Sequence, residues 1–262
     1  VESMSAQAEA KARDFNPQAI ANTLWAAACL RVLPLFARFL GLTCTSKTLK
    51  ELGGDGMQAS QLHLCFLSAQ FEPDLTPEIT TFASLASECK AVFRSQSGKG
   101  TPSALQAEVA RVVRRVVSEE HSTGVQVLEE QVLNDGGCYS ADIVLRGLPG
   151  ARGPRRVAIE VDGPSHFLRG PGADAGERDG GHLNGSTRLK QRLLSLLGWD
   201  VLSVPYYEWD ALGHDLQAQC AYVRSLLSAF LASDSVPSPT SSSGSSSSTA
   251  SYTCSSPNVL SF

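Results

Sequence analysis

The sequence predicts a protein of two parts, an all-helical N-terminal portion followed by a compact α/β domain. Apolar residues recur at helical spacing twice before residue 70, with the two copies about forty residues apart. Strand-forming runs begin only after residue 124, and with the helices around them they give the order α-β-β-β-α-β-α, typical of a sheet with helices on its faces. The length of 262 residues, with 42% hydrophobic content, suits one full domain and a smaller piece.

The first helix is predicted to start at Asn16 and to run to Leu30. Asn16 can act as an N-cap, and Pro17 suits the first helical position because its missing N–H has no partner there in any case. A second helix is expected from Leu33 to Leu40, ending at Gly41.

The helical pattern then repeats between Gln58 and Ala69. Shifted by forty residues, Gln58-Ala59 falls on Gln18-Ala19, and Leu64 falls on Leu24. Helix pairs that recur at such a period are typical of an α-solenoid, in which each unit needs neighbours to bury its apolar face. Two copies are too few to stand alone, so we expect residues 1–72 to be the end of a longer array.

Residues 73–103 are predicted to connect the two parts. They contain a helix from Thr76 to Phe93 and a flexible break from Ser95 to Gly100.

The α/β domain is predicted over residues 104–232. An amphipathic helix precedes a hairpin whose turn is Asp135-Gly136-Gly137. The predicted elements are the helix Ser103–Glu120, strands Val125–Leu133, Tyr139–Leu145 and Arg156–Val161, a Gly-rich loop Arg169–Gly181, the helix Ser186–Leu197, the strand Val201–Val204 and a closing helix Leu212–Leu231. Residues 233–262 are rich in Ser, Pro and Thr, and we expect them to be disordered.

Composition limits the classes of function. The formal charge of −4 and the pI near 5.8 weaken a purely electrostatic case for nucleic-acid binding. No apolar run approaches the roughly 20 residues that span a bilayer, so no membrane partner is expected. The seven cysteines never stand in CxxC spacing, which argues against a disulfide framework and a zinc site and indicates a reducing compartment.

Three acidic residues follow apolar strand sequence in the α/β domain. Asp142 lies within one strand, while Glu160 and Asp162 end the next, where a charged strand end usually reaches the surface and often a site. Three converging carboxylates either hold a hard divalent cation or repel one another. Lys190 and Gln191, on a later helix, could face these acids, and Glu108 could pack beside them from an earlier one.

Five sequence blocks, in order, resemble the RAP domain over most of residues 104–232. They are Tyr139-Ser140-Ala141-Asp142-Ile143, the stretch from Ile159 to Phe167, the stretch from Leu183 to Lys190, Gly198-Trp199, and Val204-Pro205-Tyr206-Tyr207-Glu208-Trp209. The resemblance implies a restriction-endonuclease-like fold related to the PD-(D/E)xK nucleases. The helical part resembles octotricopeptide repeats through Leu24-Trp25-Ala26.

Together these resemblances imply an organellar RNA-binding factor in the chloroplast stroma or the mitochondrial matrix, with the chloroplast favoured. Its expected role is processing, stability or translation of specific transcripts, including rRNA maturation, and its expected partner is single-stranded organellar RNA. Two alternatives remain, a metal-dependent endoribonuclease guided by the repeats and an interaction scaffold within an RNA-processing complex.

The nuclease resemblance implies a set of catalytic residues. Asp142 and Glu160 would be the acids that bind Mg²⁺ or Mn²⁺, which would lower the pKa of an attacking water. Asp162 occupies the position where the nuclease motif has a lysine, and Lys190 is the candidate to replace that lysine. Since the lysine is displaced, non-catalytic RNA binding is the favoured interpretation.

The candidate RNA contacts are mostly basic. Arg152, Arg155, Arg156 and Arg169 are predicted to flank the acidic edge and contact phosphates, and His166 and Arg188 complete the set. The competing interpretation gives the acids a structural role, with Asp162 capping the Gly163-Pro164 turn and Glu160 held by Arg188 or Lys190.

Overall fold

The structure, a computed structural model, describes residues 7, 10–32, 39–43, 56–72, 75, 80–98, 100–120, 124–133, 138–150, 153–168 and 181–232. Its helices are α1 (Pro17–Leu30), α2 (Gly56–Ala69), α3 (Ala83–Gln96), α4 (Ala104–Glu120), α5 (Gly185–Leu196), α6 (Tyr206–Ala211) and α7 (Leu216–Ala232). The strands are β1 (Gln126–Val132), β2 (Ser140–Leu148), β3 (Arg155–Asp162) and β4 (Asp200–Pro205), and short 3₁₀-helices span Ala12–Asp14 and Pro164–His166.

The start of α1 follows the capping rules. The Asn16 side chain accepts a hydrogen bond from the Ala19 N–H at 2.8 Å, and Pro17 is the first helical residue. The helix ends at Arg31, which adopts a left-handed conformation with φ of 61° and ψ of 34°. The predicted bounds of this helix are therefore confirmed.

The two copies of the sequence repeat lie side by side. Gln58 donates to the Gln18 side-chain oxygen at 3.4 Å, and Gln61 donates to that of Asn22 at 3.0 Å, so α1 and α2 run parallel. Gln18 and Gln58, which the forty-residue shift matches, are thus in contact. Helix α3 runs antiparallel to α2, because Gln96 at its end accepts from Ser60 near the start of α2 at 2.9 Å.

Three predicted boundaries in the helices were wrong. Residues 39–43 are helical, so the chain does not leave the helix at Gly41, and the Thr43 hydroxyl donates to the Phe39 carbonyl one turn back at 2.8 Å. The break expected from Ser95 starts later, since α3 continues to Gln96. The expected closing helix begins at Leu216 and not at Leu212, and α6 is a separate short helix before it.

The residues between α6 and α7 are not helical for a local reason. Gly213 has a φ of 58°, which ends the turn after α6. The Asp215 carboxylate then accepts hydrogen bonds from the N–H groups of Gln217 at 2.8 Å and Ala218 at 3.3 Å, and so caps α7.

Several predictions fall on residues that the structure does not describe. They are the segment 33–38 of the second helix, residues 76–79 of the next one, the turn at 135–137, most of the Gly-rich loop (169–180) and the tail 233–262.

The four strands form one mixed sheet in the order β1-β2-β3-β4. The pairs β1–β2 and β2–β3 are antiparallel, and β3–β4 is parallel. The parallel pair is joined by a crossover that contains α5, as parallel neighbours require. The predicted order of strands and helices is thus observed, with α6 as an additional short helix.

Each face of the sheet packs on a different set of helices. On one face, Ile143 and Ile159 share a core with Val113 of α4 and Val223 of α7. On the other face, the core joins strand residues, α5 and the N-terminal helices, and it includes Val144, Ala158, Leu189, Leu193, Leu24 and Leu62. The helical part and the sheet therefore share one continuous apolar core, and α5 contacts both.

Among the helices in the described ranges, none combines the length and apolar character needed to cross a bilayer.

Candidate functional site

Strands β2 and β3 bring three acidic side chains to the same face of the sheet. Ile143 pairs with Ile159 in the antiparallel ladder, so the adjacent residues Asp142 and Glu160 lie opposite one another and project to one face. Asp162 shares that face because side chains alternate along a strand. The placement of these acids together agrees with the expectation from the sequence.

Glu160 and Asp162 are buried, although a strand end rich in charge was expected to reach the surface. Glu160 is 2% exposed and Asp162 is 0% exposed. Strand β4 lies beside β3, and side chains of α5 contact both carboxylates. Because a buried carboxylate is costly unless it is paired and hydrogen-bonded, the partners of these two residues determine what the site can do.

Glu160 is paired with Lys190 of α5, at 2.5 Å between Oε2 and Nζ. Its other oxygen, Oε1, is buried and has no hydrogen-bond partner among the described atoms. Burial raises the pKa of the Glu160 carboxyl to about 7, against the opposing effect of the Lys190 charge, and the nearby Asp142 and Asp162 raise it further. The residue is therefore poised between its charged and neutral forms near neutral pH.

Asp162 is the centre of a hydrogen-bond network. It accepts from the Ser203 hydroxyl, from the Gln191 amide at 3.4 Å and from His166 Nδ1 at 2.7 Å. The predicted capping role of Asp162 was wrong, since its carboxylate accepts from these three side chains and, among the described hydrogen bonds, from no backbone N–H of the Gly163-Pro164 turn. Its carboxylate binds the imidazole of the 3₁₀-helix that follows Gly163 instead.

His166 carries the network to the surface. Its side chain is 37% exposed, and the hydrogen bond to Asp162 raises the pKa of the imidazole above its ordinary value, against the effect of partial burial. With Nδ1 used by Asp162, Nε2 is the ring nitrogen left for a ligand.

Asn184 fixes the His166 turn against the start of α5. Its side-chain oxygen caps the helix through the Thr187 N–H at 2.9 Å, and its amide donates to the Ser165 carbonyl at 2.8 Å. Its own N–H donates to the His166 carbonyl at 2.8 Å. The turn that carries His166 is consequently held rigidly to the helix that carries Lys190.

Three half-buried rings lie beside this turn, and we call them the aromatic cluster: Phe167, Tyr206 and Tyr207. Their centroids are 5.4 to 5.7 Å apart and each pair meets edge to face. Leu168, next in the chain, is 59% exposed. The rings belong to sequence blocks that were recognised, but their contact was not predicted, because it depends on the parallel pairing that brings the end of β4 beside the end of β3.

Two of the predicted arginines, Arg155 and Arg156, do not lie at the acidic edge. Arg155 and Arg156 begin β3, six to seven residues before Asp162, which at the strand rise of about 3.3 Å per residue is roughly 20 Å away. Arg155 pairs with Asp200 at 3.1 Å, and Arg156 stacks on Trp199 with 4.4 Å to the ring centroid. Their role as RNA contacts stays a prediction, away from the edge.

The remaining predicted residues are placed as follows. Arg188 is exposed on α5, and its N–H donates at 3.1 Å to the carbonyl of Asn184, the residue that contacts the His166 turn. Arg152 and Arg169 lie outside the described residues. Glu108 was expected near the acids, but it accepts a hydrogen bond from Gln219 of α7 at 2.8 Å, on the opposite face of the sheet.

The acids offer limited ligation to a metal ion. Glu160 and Asp142 lie on the same face of the sheet, but Asp142 Oδ2 already accepts from the Val161 N–H at 2.8 Å. In the parts of the chain that the structure describes, no three His, Cys, Asp or Glu side chains are grouped so that they could hold a metal ion. A Mg²⁺ ion, which takes six oxygen ligands, would have to obtain most of them from water or a bound phosphate.

Comparison with known proteins agrees with the predicted family in part. Residues 159–226 match the family model of the RAP domain. The chain is also 28% identical over 232 residues to a "RAP domain-containing protein, chloroplastic" from Oryza sativa subsp. japonica. That alignment covers 86% of this chain and 32% of the rice protein, so the chain spans about a third of the length of the curated relative it matches.

The predicted RAP domain is therefore confirmed for residues 159–226. This segment contains Glu160, Asp162, His166, Lys190 and the aromatic cluster, whereas Asp142 lies outside it.

Proposed function

We propose that this chain is the single-stranded-RNA-binding part of an organellar protein that acts in the processing, stability or translation of organellar transcripts. The observation that carries the proposal is the position of His166, held by the buried Asp162, directly beside the aromatic cluster. An imidazole whose protonated form is favoured by Asp162, next to accessible rings, is suited to the two parts of an unpaired nucleotide, its phosphate and its base.

The internal pairing of the other charges supports binding rather than catalysis. Lys190 Nζ lies 2.5 Å from Glu160 Oε2, so the lysine charge stabilises a buried carboxylate. Asp162 is likewise enclosed by Ser203, Gln191 and His166. The network then acts as a support that orients His166, while the imidazole and rings meet the RNA.

The comparisons support an organellar setting. The matched family is the RAP domain, and the rice relative is named chloroplastic. We place the protein in the chloroplast stroma in preference to the mitochondrial matrix. We also propose that the parallel pair α1 and α2, with Gln18 against Gln58, belongs to an octotricopeptide-like array that extends the RNA path.

The test is direct binding. The protein is titrated with fluorescently labelled single-stranded organellar RNA at several salt concentrations, and with the same RNA annealed to its complement. We expect tight binding to the single strand, a marked salt dependence and much weaker binding to the duplex. Equal affinity for both forms, or no binding to either, would rule out the proposal.

One observation favours a second function, a metal-dependent endoribonuclease. Asp142, Glu160 and Lys190 project to the same face of the sheet, and Glu160 Oε1 lacks a hydrogen-bond partner among the described atoms. If this arrangement binds Mg²⁺ or Mn²⁺ together with RNA, the ion would supply the activated water and Asp142 and Glu160 would hold it. Incubation of labelled RNA with the protein and each metal, against a chelator control, tests this directly.

A further inference from the structure

A cleft of about 560 Å³ lies where the N-terminal helices meet α5. Arg31 contributes from the end of α1, Ser68, Phe71 and Glu72 come from the end of α2 and just beyond it, and Arg192 and Ser195 come from α5. Arg192 follows Lys190 by two residues, so it projects about 200° around the helix from it. The cleft is therefore on the other side of α5 from the Glu160–Lys190 pair.

Two guanidinium groups face this cleft with few internal partners. Arg192 donates one of its five N–H groups to the Ala28 carbonyl at 2.5 Å, at the end of α1. Both side chains line the same cleft, and partial burial and, next, the charge of Arg31 lower the pKa of Arg192. Among the described residues, no carboxylate lies within ion-pair distance of Arg31 or Arg192.

The backbone conformation of Arg31 is unusual for an arginine. Its φ of 61° places it in the left-handed region at a helix end, a position that glycine fills without strain. An arginine here accepts strain that glycine would avoid. Its side chain is exposed at the rim of the cleft, where it adds a second positive charge beside Arg192.

The rest of the lining is suited to a base. Phe71 supplies a half-buried ring, and the Ser68 and Ser195 hydroxyls and the Glu72 carboxylate supply hydrogen-bonding groups. The carboxylate can accept from an exocyclic amino group, which adenine, cytosine and guanine carry and uracil lacks. The volume falls within the range of roughly 300 to 1,000 Å³ found for small-molecule sites.

We propose that this cleft binds one nucleotide of single-stranded RNA, with its phosphate between Arg31 and Arg192 and its base against Phe71 and Glu72. The inference rests on the proposed RNA-binding function and adds a defined subsite to it. It places the RNA across the junction between the helical part and the RAP domain. The competing explanation is that Arg192 only caps α1 and that Arg31 is an ordinary surface cation.

The sharpest variant is Arg31→Gly, because it removes the guanidinium and also relieves the left-handed backbone. We expect affinity for a labelled single-stranded oligonucleotide to fall about tenfold and the salt slope of log K to fall by about one, as for one lost phosphate contact. The melting temperature should stay equal or rise. Arg111→Ala, an exposed arginine on α4 far from the cleft, is the matched control and should change the salt slope little.

A second variant moves the affinity in the opposite direction. Glu72→Gln removes a negative charge beside the phosphate site and should tighten binding by a few fold, while it reduces the preference for oligo-A over oligo-U. Competition with AMP and with inorganic phosphate separates a nucleotide site from a simple anion site. AMP should displace the oligonucleotide at lower concentration than phosphate does.

The outcomes separate this inference from the function on which it rests. If the wild-type protein binds no single-stranded RNA, the proposed function itself fails. If it binds, but Arg31→Gly behaves like Arg111→Ala in affinity and salt slope, the cleft is not part of the RNA path and only this inference is overturned. If phosphate competes as well as AMP, the assignment of Phe71 and Glu72 to the base is wrong.

Discussion

Lys190 Nζ and Glu160 Oε2 meet at 2.5 Å across the space between α5 and the sheet, and this ion pair closes the carboxylate face of β3. The Glu160 side chain is 3% exposed and that of Lys190 is 24% exposed, so the pair is screened little by water.

The first prediction concerns the loss of the cation from this pair. Lys190→Met should destabilise the fold by about 3 kcal/mol at pH 8, because it leaves Glu160 buried without a partner. The loss should be smaller at pH 5, where the carboxyl is neutral in the folded state. Urea unfolding at both pH values measures it. Arg115→Met, which breaks the exposed pair with Glu119, is the control and should cost no more than about 1 kcal/mol. Equal losses in the two variants would contradict the prediction.

The second prediction concerns the pH dependence of stability. The folded pKa of Glu160, about 7, is above its ordinary value of 4.5, so the folded state binds more protons between these two values. The free energy of unfolding should therefore decrease as pH rises from 4.5 to 7. In Glu160→Gln this part of the slope should vanish. His166, whose pKa is also raised, gives a separate loss of stability above pH 6.5 that both proteins should share. A slope between pH 4.5 and 6 that persists in the variant would show that another group causes it.

The third prediction tests the aromatic cluster. Tyr207→Ala should weaken binding of single-stranded RNA by roughly 1 to 3 kcal/mol, the usual worth of one stacked base, and should leave the salt slope unchanged. Tyr207→Phe retains the ring and should bind as the wild type does. Fluorescence titration with the same oligonucleotide compares them. Weakening in both variants would mean that the hydroxyl, and not the ring, contacts the RNA.

The fourth prediction separates binding from cleavage. Glu160→Gln keeps the size of the side chain and removes the charge that a divalent ion needs. We expect the wild-type protein to bind labelled RNA without cutting it in Mg²⁺ or Mn²⁺, and the variant to bind equally well. Cleavage that requires metal and drops about a hundredfold or more in the variant would establish the nuclease alternative instead.

The fifth prediction distinguishes two kinds of arginine. Arg156→Ala should cost about 0.5 to 1 kcal/mol of stability through the lost stacking on Trp199 and should not change the salt slope of RNA binding. Arg188→Ala, on the exposed side of α5 near His166, should reduce the slope by about one and leave stability nearly unchanged. The reverse result would move the RNA path to the start of β3.

Local signals in the sequence were sufficient for the elements and for part of the site. Asn16 and Pro17 define the start of α1 because a cap and its helix are adjacent in the chain. The alternation along β3 places Glu160 and Asp162 on one face, and the helix that follows β3 brings Lys190 to that face. These relations need only element type, strand direction and short connections.

Contacts between distant segments could not be predicted in the same way. Arg155 is occupied by Asp200, 45 residues later, and nothing in either local pattern shows the pairing. Burial of Glu160 and Asp162 depends on how closely α5 packs. The cleft at Arg31 and Arg192 needs the N-terminal helices to dock on α5, a contact between residues about 160 positions apart.

The continuous core on the α5 face has a consequence for dissecting the protein. The segment that matches the RAP family begins at Ile159, in the middle of β3, and stops before the end of α7. A fragment with those limits would lose β1, β2 and α4, expose the edge of β3 to aggregation, and deprive the Val161 N–H of its Asp142 partner. Even a fragment spanning 104–232 would uncover the side of α5 that packs on α1. The segment that matches the family model is therefore shorter than the segment that packs into one fold. Biochemical work on the RAP segment requires the helices that precede it.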